Sequence, residues 1–372
     1  MMSTPESQIG EAERCTQDKV IDLFRDRLGY EYLGKWEVTE AELARTSPIE
    51  EDMLTRWLIK RGHTPQMASA AITELNRVRN STSDLADSNK AVYEKLYYGA
   101  KVSPGVGENY VTVHYIDWDN PQNNDFGIAE EVSMQRTETG MRRPDVVLYV
   151  NGIALGVLEL KKAAVSVSEG IRQNLTNQNR NEIPHFFSTI QLVMAGNETQ
   201  GLRYGTTNTP EKYYLEWKRD PMDESRLHLF DHLEAMCNKE MLLDFIHNFI
   251  IFDAGIKKVA RQNQYHGIKA AQKRVKHREG GIIWHTQGSG KSLLMVWLAK
   301  WILENNPNAR VLVVTDRIEL DEQIEKNFAN TNFKPFRAKN AGELLHQLNN
   351  SLPDRRQERK TADATCPSTY IS

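Results

Sequence analysis

Three cysteines in 372 residues, Cys15, Cys237 and Cys366, lie far apart and form neither a metal-binding spacing nor a disulfide framework. That sparseness points to a reducing compartment, the cytoplasm. No run of about 20 apolar residues is present, which excludes a membrane-spanning helix. Residues 11–30, where a secretory core would sit, carry charges throughout. A general basic surface is missing too: the formal net charge is −3, so contact with nucleic acid must come from local patches. No internal repeat is evident. What is there is 40% hydrophobic content, enough for globular cores, in a length that suits two domains.

The run RRPDVVLYVNGIALGVLELKK holds Asp145 at the start of one apolar segment and Glu159 and Lys161 at the end of the next. Both segments are rich in β-branched and other apolar residues and are joined through Asn151-Gly152, the pattern of a β-hairpin buried on both faces. Charges in such a place cost several kcal/mol or more unless paired or metal-bound, so their convergence suggests a purpose. Glu159 and Lys161 share a strand face. A strict two-residue turn pairs Asp145 with Leu158, on the wrong side. The site therefore requires either a three-residue loop with Gly152 in a left-handed bulge or a bulge within one strand. Two carboxylates facing one point would hold a hard cation such as Mg²⁺, with Lys161 orienting water or neutralising developing charge, which is a divalent-metal nuclease site. The plainer alternative is a Glu-Lys ion pair beside an unrelated Asp.

A second constellation, His285-Thr286-Gln287-Gly288-Ser289-Gly290-Lys291-Ser292, follows the short apolar run Gly281–Trp284 and precedes a helix-length apolar segment, Leu293–Leu303. Strand, glycine loop and helix is the order a phosphate loop needs, because backbone N–H groups and the helix N-terminus must face the same oxygens. The backbone at Gly288, Ser289 and Gly290 would approach ATP, Lys291 would meet the β/γ-phosphates and Ser292 would bind Mg²⁺. His285 stands where the pattern usually has its first glycine. A basic run, Lys257–Arg278, contains no carboxylate and is either a nucleic-acid patch or a solvated helix face.

Elsewhere, Val20, Ile21, Phe24 and Leu28 have helical spacing over residues 14–29. Ser47-Pro48-Ile49-Glu50 reads as a capping box opening a second helix, and a third runs from Pro65 to Val78. Tyr110–Tyr115 and Ser188–Ala195 read as strands and Ser168–Asn179 as a polar helix, with a softer boundary at residues 201–224.

Taken together, these motifs resemble the R subunit of type I restriction enzymes. The resemblance spans roughly residues 16–350 and includes LGYEYLG at 28–34, VYEKLYYG at 92–99, IDWDNPQNNDF at 116–126, GIRQNLTNQN at 170–179, FFSTIQLVMAGN at 186–197, HTQGSGKS at 285–292 and VLVVTDRIELDEQI at 311–324. It implies an α/β chain: a restriction-endonuclease-like mixed sheet flanked by helices over residues 1–230, then an incomplete RecA-like P-loop lobe over 231–352. The remainder, 353–372, lies outside the resemblance and is expected to be a disordered tail.

The implied activity is Mg²⁺-dependent cleavage of double-stranded DNA, coupled in the intact family to ATP-driven translocation, with methyltransferase and specificity subunits as partners. The resemblance matches Asp145, Glu159 and Lys161 to the catalytic pattern and Gln173 to a helper glutamine, although Asn177 stands where an aromatic is common. It also implies an adenine contact for Gln264 and DNA-phosphate contacts for Thr315, Asp316 and Arg317. The family's downstream Asp-Glu and arginine finger are not visible, Asp321-Glu322 reading as a helix start, so the sequence is expected to be a truncated or frameshifted product. The competing readings are a stand-alone nuclease with a vestigial nucleotide site and a non-catalytic assembly fragment.

Overall fold

The apolar runs around Asn151-Gly152 form the middle of a seven-stranded mixed sheet in the computed structural model, which describes residues 5–39, 43–105, 107–217, 228–315, 318–331, 335–338, 340–349 and 369–371. Strands β1 (Glu31–Lys35), β2 (Phe126–Glu130), β3 (Val146–Val150), β4 (Ile153–Leu160), β5 (Leu192–Asn197), β6 (Gly201–Gly205) and β7 (Leu215–Glu216) lie side by side in chain order. The pairs β1/β2 and β4/β5 are parallel and the other neighbours antiparallel. Parallel neighbours need crossovers. Helices α2 (Glu51–Lys60), α3 (Pro65–Arg79) and α4 (Leu85–Tyr98) provide the first, and α5 (Val167–Asn177) with the short α6 (Pro184–Phe187) the second. Helix α1 (Pro5–Asp22) runs into one π-helical turn, Leu23–Arg27.

Every residue of β3, β4 and β5 is buried, as continuous apolar runs predict. On one face Val147, Tyr149, Val157 and Val193 pack with Ile183, Phe186, Phe187 and Ile190. Further along the same face Ala195 meets Val167 and Ile171 of α5. The hairpin solves its register problem inside a strand. Asn151 and Gly152 take φ of 53° and 83° in a two-residue turn, Val150 pairs with Ile153, and Tyr149 with Ala154. Leu148 then pairs with Gly156, so Leu155 is an extra residue, and Val146 comes opposite Leu158.

The hairpin tip organises the segments around it. Asn151 Nδ2 donates to Tyr115 O (2.9 Å) and Asn124 Oδ1 (2.8 Å), while its Oδ1 accepts from Asp125 N (2.8 Å). The polar run at 116–126 is thus a loop folded onto the turn. The tip also displaces the expected start of the second helix. Ile49 bridges Ile153, Pro48 O accepts from Ala154 N (3.0 Å) and Glu50 N donates to Gly152 O (2.8 Å). Backbone groups taken by the tip cannot open a helix, and α2 begins at Glu51 with no side-chain cap. By contrast α3 starts as expected at Pro65, where Thr64 Oγ1 accepts from Met67 N (3.2 Å).

The chain divides into two units, Met1–Ile250 with Lys257–Val259, and Ile251–Ile256 with Ala260–Ser372. The division falls past residue 250 rather than at 230 because α7 (His228–Cys237) and α8 (Lys239–Asn248) close the sheet of the first unit: α7 packs on β6, and Phe245 stacks among Tyr204, Trp217 and Phe249. The second unit contains α9 (Gln262–Lys276), α10 (Lys291–Asn305), α11 (Ile318–Asn330), α12 (Ala341–Asn349) and a parallel sheet of β8 (Val311–Val313), β9 (Pro335–Arg337) and β10 (Thr369–Ile371), with β10 in the middle. Its core joins Val296, Ala299 and Leu303 of α10 to Ile324 and Phe328 of α11.

Two expectations fail here. Gly281–Trp284 is not a strand: no described strand pairs with it, and Ile282 and Trp284 are 89% and 90% exposed. Of the expected disordered tail, residues 353–368 lie outside the described residues, but Thr369–Ile371, with β-favouring Tyr370 and Ile371, is a strand.

Gly152 carries a specific stability prediction. An added Cβ would sit 2.7 Å from Glu50 O and 2.8 Å from Met53 Cβ, on a backbone of positive φ. Gly152→Ala is expected to cost about 2–4 kcal/mol, strain and overpacking together. Urea unfolding monitored by circular dichroism measures it, and a loss below about 0.5 kcal/mol would refute the packing described.

Candidate active site

Because Val146 pairs with Leu158, the next step of the register sets Asp145 opposite Glu159 at the end of β4. Asp145 Oδ2 accepts from Leu160 N at 2.7 Å, so its carboxylate reaches across to the neighbouring strand. Its backbone is fixed from the other side: Glu131 N donates to Asp145 O (2.8 Å) and Val132 N to Pro144 O (3.0 Å). Glu131 adopts φ 52° to make that approach. Lys161 Nζ lies 3.6 Å from Glu159 Oε1 and donates to Leu160 O at 2.9 Å. All three candidate catalytic groups therefore meet at one edge, as the hairpin argument requires.

Glu159 is wholly buried and neither carboxylate oxygen has a hydrogen-bond partner. Burial, and then the adjacent Asp145 carboxylate, push its pKa well above the usual range, with Lys161 opposing. A buried carboxylate left without donors is costly, and a cation removes the cost. The donor set is all oxygen, which fits a hard divalent cation such as Mg²⁺ rather than a thiolate- or imidazole-seeking metal. Among the described residues no cluster of three or more His, Cys, Asp and Glu offers another metal site.

Helix α5 closes this edge. Gly170 sits against it so tightly that a Cβ there would meet Ala195 Cβ at 3.2 Å and Glu159 O at 3.5 Å. Gln173, nearly one turn further, is exposed on α5, and Asn177 is buried. One participant escaped the sequence reading: Glu130, at the end of β2 beside Val146. It is buried and accepts from Gln17 Nε2 (2.8 Å), Tyr32 Oη (2.7 Å) and Arg14 Nη2 (3.1 Å), which anchors α1 to the strand next to the site. Those donors outweigh burial and hold it below the ordinary carboxylate range. The signal was a Glu pair ending an apolar run, Phe126–Ala129.

In the second unit, the loop before α10 turns on Gly288 and Gly290, at φ 77° and 82°, and Lys291 and Ser292 open the helix. Lys291 Nζ folds back onto Thr286 O (3.0 Å) and His285 O (3.3 Å). Gln264 braces the loop: its Oε1 accepts from Arg261 N (2.8 Å) and its Nε2 donates to Gly290 O (2.9 Å), so both ends of the amide are engaged within the protein. Thr315 follows β8, whereas Asp316 and Arg317 lie outside the described residues. Asp321 belongs to α11, as its sequence context suggested, and pairs with Arg337 at 2.6 Å. The basic run loses one member. Lys257 is buried, donating to Asn89 Oδ1 (2.7 Å) and Gln191 Oε1, and desolvation pushes its pKa well below the lysine range.

Comparison with known proteins finds a family model over part of each unit. Residues 11–212 match the family model described as type I restriction enzyme R protein N terminus, and residues 263–356 match that of the SWI2/SNF2 ATPase. The chain is 27% identical over 321 residues to the type I restriction enzyme HindI endonuclease subunit of Haemophilus influenzae, covering 80% of this chain and 29% of that protein. It is 26% identical over 261 residues to the SsaAORF53P endonuclease subunit of Staphylococcus saprophyticus, covering 66% of this chain and 27% of the relative. The chain thus spans under a third of the length of these two relatives. Among the described residues no helix is long and apolar enough to cross a membrane.

The orphaned carboxylate predicts a trade between stability and metal binding. In chelator, Glu159→Met is expected to stabilise the protein by about 1–3 kcal/mol, the penalty of an unsatisfied buried group. Mg²⁺ should raise the melting temperature of the parent chain but not of the variant. Destabilisation by Glu159→Met in chelator would mean that the carboxylate is already compensated.

Proposed function

The chain belongs to the family of type I restriction enzyme R proteins, and from that premise we propose that it supplies the endonuclease function of a restriction subunit, cutting double-stranded DNA with Mg²⁺ at Asp145, Glu159 and Lys161. The observation that carries this reading is the wholly buried Glu159 carboxylate, without hydrogen-bond partners, beside Lys161. Asp145 and Glu159 would hold the cation, which when bound supplies Lewis-acid polarisation of a phosphate and acidifies water.

The protein's own residues do the rest. The Leu160 amide fixes the Asp145 carboxylate, and α5 covers the strand edge and limits water access. Lys161, 15% exposed in its side chain, presents a positive charge where a scissile phosphate gains negative charge. Gln173, on the exposed face of α5, is a further substrate contact in this reading.

The loop at 285–292 is proposed to bind ATP, with backbone N–H groups of Gly288, Ser289 and Gly290 and the Lys291 ammonium meeting phosphate, Ser292 serving Mg²⁺, and Gln264 near adenine. Thr315 and Arg317 would touch DNA phosphate. In the assembled enzyme, methyltransferase and specificity subunits would select the DNA and ATP-driven translocation would precede cutting in the cytoplasm.

Asp145→Ala and Lys161→Ala, placed in a complex reconstituted with the complete subunit, are each expected to lower DNA cleavage by about 10³ or more while ATP hydrolysis stays within about twofold. Supercoiled-plasmid cleavage and phosphate release measure the two activities, and cleavage within about tenfold of the parent would remove the assigned roles. Lys291→Ala should weaken ATP binding to this chain by about tenfold or more in calorimetry, since a charged phosphate contact is lost. Unchanged affinity would discard the phosphate-loop assignment.

A further inference from the structure

Within the second unit, the loop at 285–292 rests against the start of α9, and the contacts run through its carbonyls. Gly290 O accepts from Gln264 Nε2 (2.9 Å) and also from Leu294 N (3.1 Å), so the brace from α9 and the first turn of α10 meet on one oxygen. Gly288 O accepts from Arg261 Nη1 at 3.3 Å. In a trans peptide the C=O and the following N–H point in opposite directions. A Gly290 carbonyl held toward Gln264 and Leu294 therefore turns the Lys291 N–H the other way, outward from the start of α10, where an anion is received. Helix ends fray, and the bond from Gln264 fixes this end peptide where Leu294 N alone would leave it loose.

The far end of the loop docks on the same helix. His285 lies over Gly267 of α9, where an added Cβ would come within 3.3 Å of its Cε1 and Nε2. Its Nδ1 is 3.4 Å from Asn263 Nδ2. The residue that replaces the usual first glycine of the pattern thus has a seat on α9, and that seat exists because position 267 has no side chain.

Gln264 is central to this contact. Its Oε1 accepts from Arg261 N (2.8 Å), which ties the brace to the entry of α9, and the residue is only 3% exposed. Nearness to adenine is not contact with it: a buried amide held by protein at both ends presents no open edge to a base. We propose that Gln264 is a positioning residue for the phosphates, which sets the direction of the loop's amide groups and whose contribution to nucleotide binding is blind to the base. The proposal rests on the phosphate-loop reading above and assigns to Gln264 a role in it that base recognition does not share.

The test is calorimetry of the full chain with Mg²⁺ and three ligands that share a triphosphate: inorganic tripolyphosphate, ATP and GTP. Lys291→Ala reports on the loop itself and should weaken all three. If the parent chain does not bind tripolyphosphate, or binds it no better than Lys291→Ala does, the phosphate-loop reading falls and this proposal with it. Gln264→Met, similar in length and without a donor or acceptor, should weaken all three ligands by a common factor of about five to ten, roughly the worth of one hydrogen bond, with an unchanged circular dichroism spectrum. Gln264→Asn keeps the amide but is one methylene too short to span Arg261 N and Gly290 O, and should show the same common loss; should Gln264→Met fail to fold, it decides alone. Weaker ATP binding with tripolyphosphate binding retained would make Gln264 a base reader and overturn the proposal. So would a lowered melting temperature with all three affinities intact, the mark of a purely structural brace.

Discussion

A single unpaired residue, Leu155, sets the geometry of the carboxylate edge. Side chains alternate across a strand, so the parity of the count between Asp145 and Glu159 decides whether the two carboxylates share a face. The two-residue turn at Asn151-Gly152 alone would give the wrong parity, and the bulge restores it. The surrounding structure defends that register from both ends. At the tip, Asn151 is held by the 116–126 loop and Gly152 is pressed against the start of α2. At the base, Glu131 and Val132 grip the backbone of Pro144 and Asp145. The helices and loops around the sheet are in this sense the means by which one count is kept.

The same register places a carboxylate where its neighbours offer no hydrogen bonds. A structure optimised only for stability would put an apolar side chain at Glu159, as it does at Val157 on the same face. The local cost of Glu159 is borne by an apolar sheet buried on both faces. Glu130 shows the contrast: also a buried glutamate and close by, it has three donors and behaves as an ordinary structural anchor. Burial alone does not separate the two residues; hydrogen-bond satisfaction does.

The sequence disclosed the hairpin, its parity problem and the glycine turn before α10 because each rests on short-range rules: alternation, turn chemistry and glycine placement. It left open which of two devices would correct the parity, since an extra leucine inside an apolar run carries no polar mark, although the adjoining Gly156 was a hint. The Ser47-Pro48 start failed because a partner far along the chain, the hairpin tip, competed for the same backbone groups. The stretch at Gly281–Trp284 reads as a strand by composition, but a strand also needs neighbours, and no described strand pairs with it. The Glu pair after Phe126–Ala129 marks Glu130 in the sequence, but its donors Arg14 and Gln17 lie more than a hundred positions away, so no local pattern shows what holds it.

Lys257 opens the basic run yet lies inside the first unit, its ammonium facing the amide oxygens of Asn89 and Gln191 and the ring of Tyr93 at 5.5 Å. Amine-selective labelling of the folded chain would therefore modify exposed members of the run, such as Lys269, Lys273 and Lys276, and spare Lys257 until α4 parts from the segment before β5. Its reactivity is a built-in gauge of local opening, one lysine reporting on the packing between residues 89 and 191 without any engineered probe.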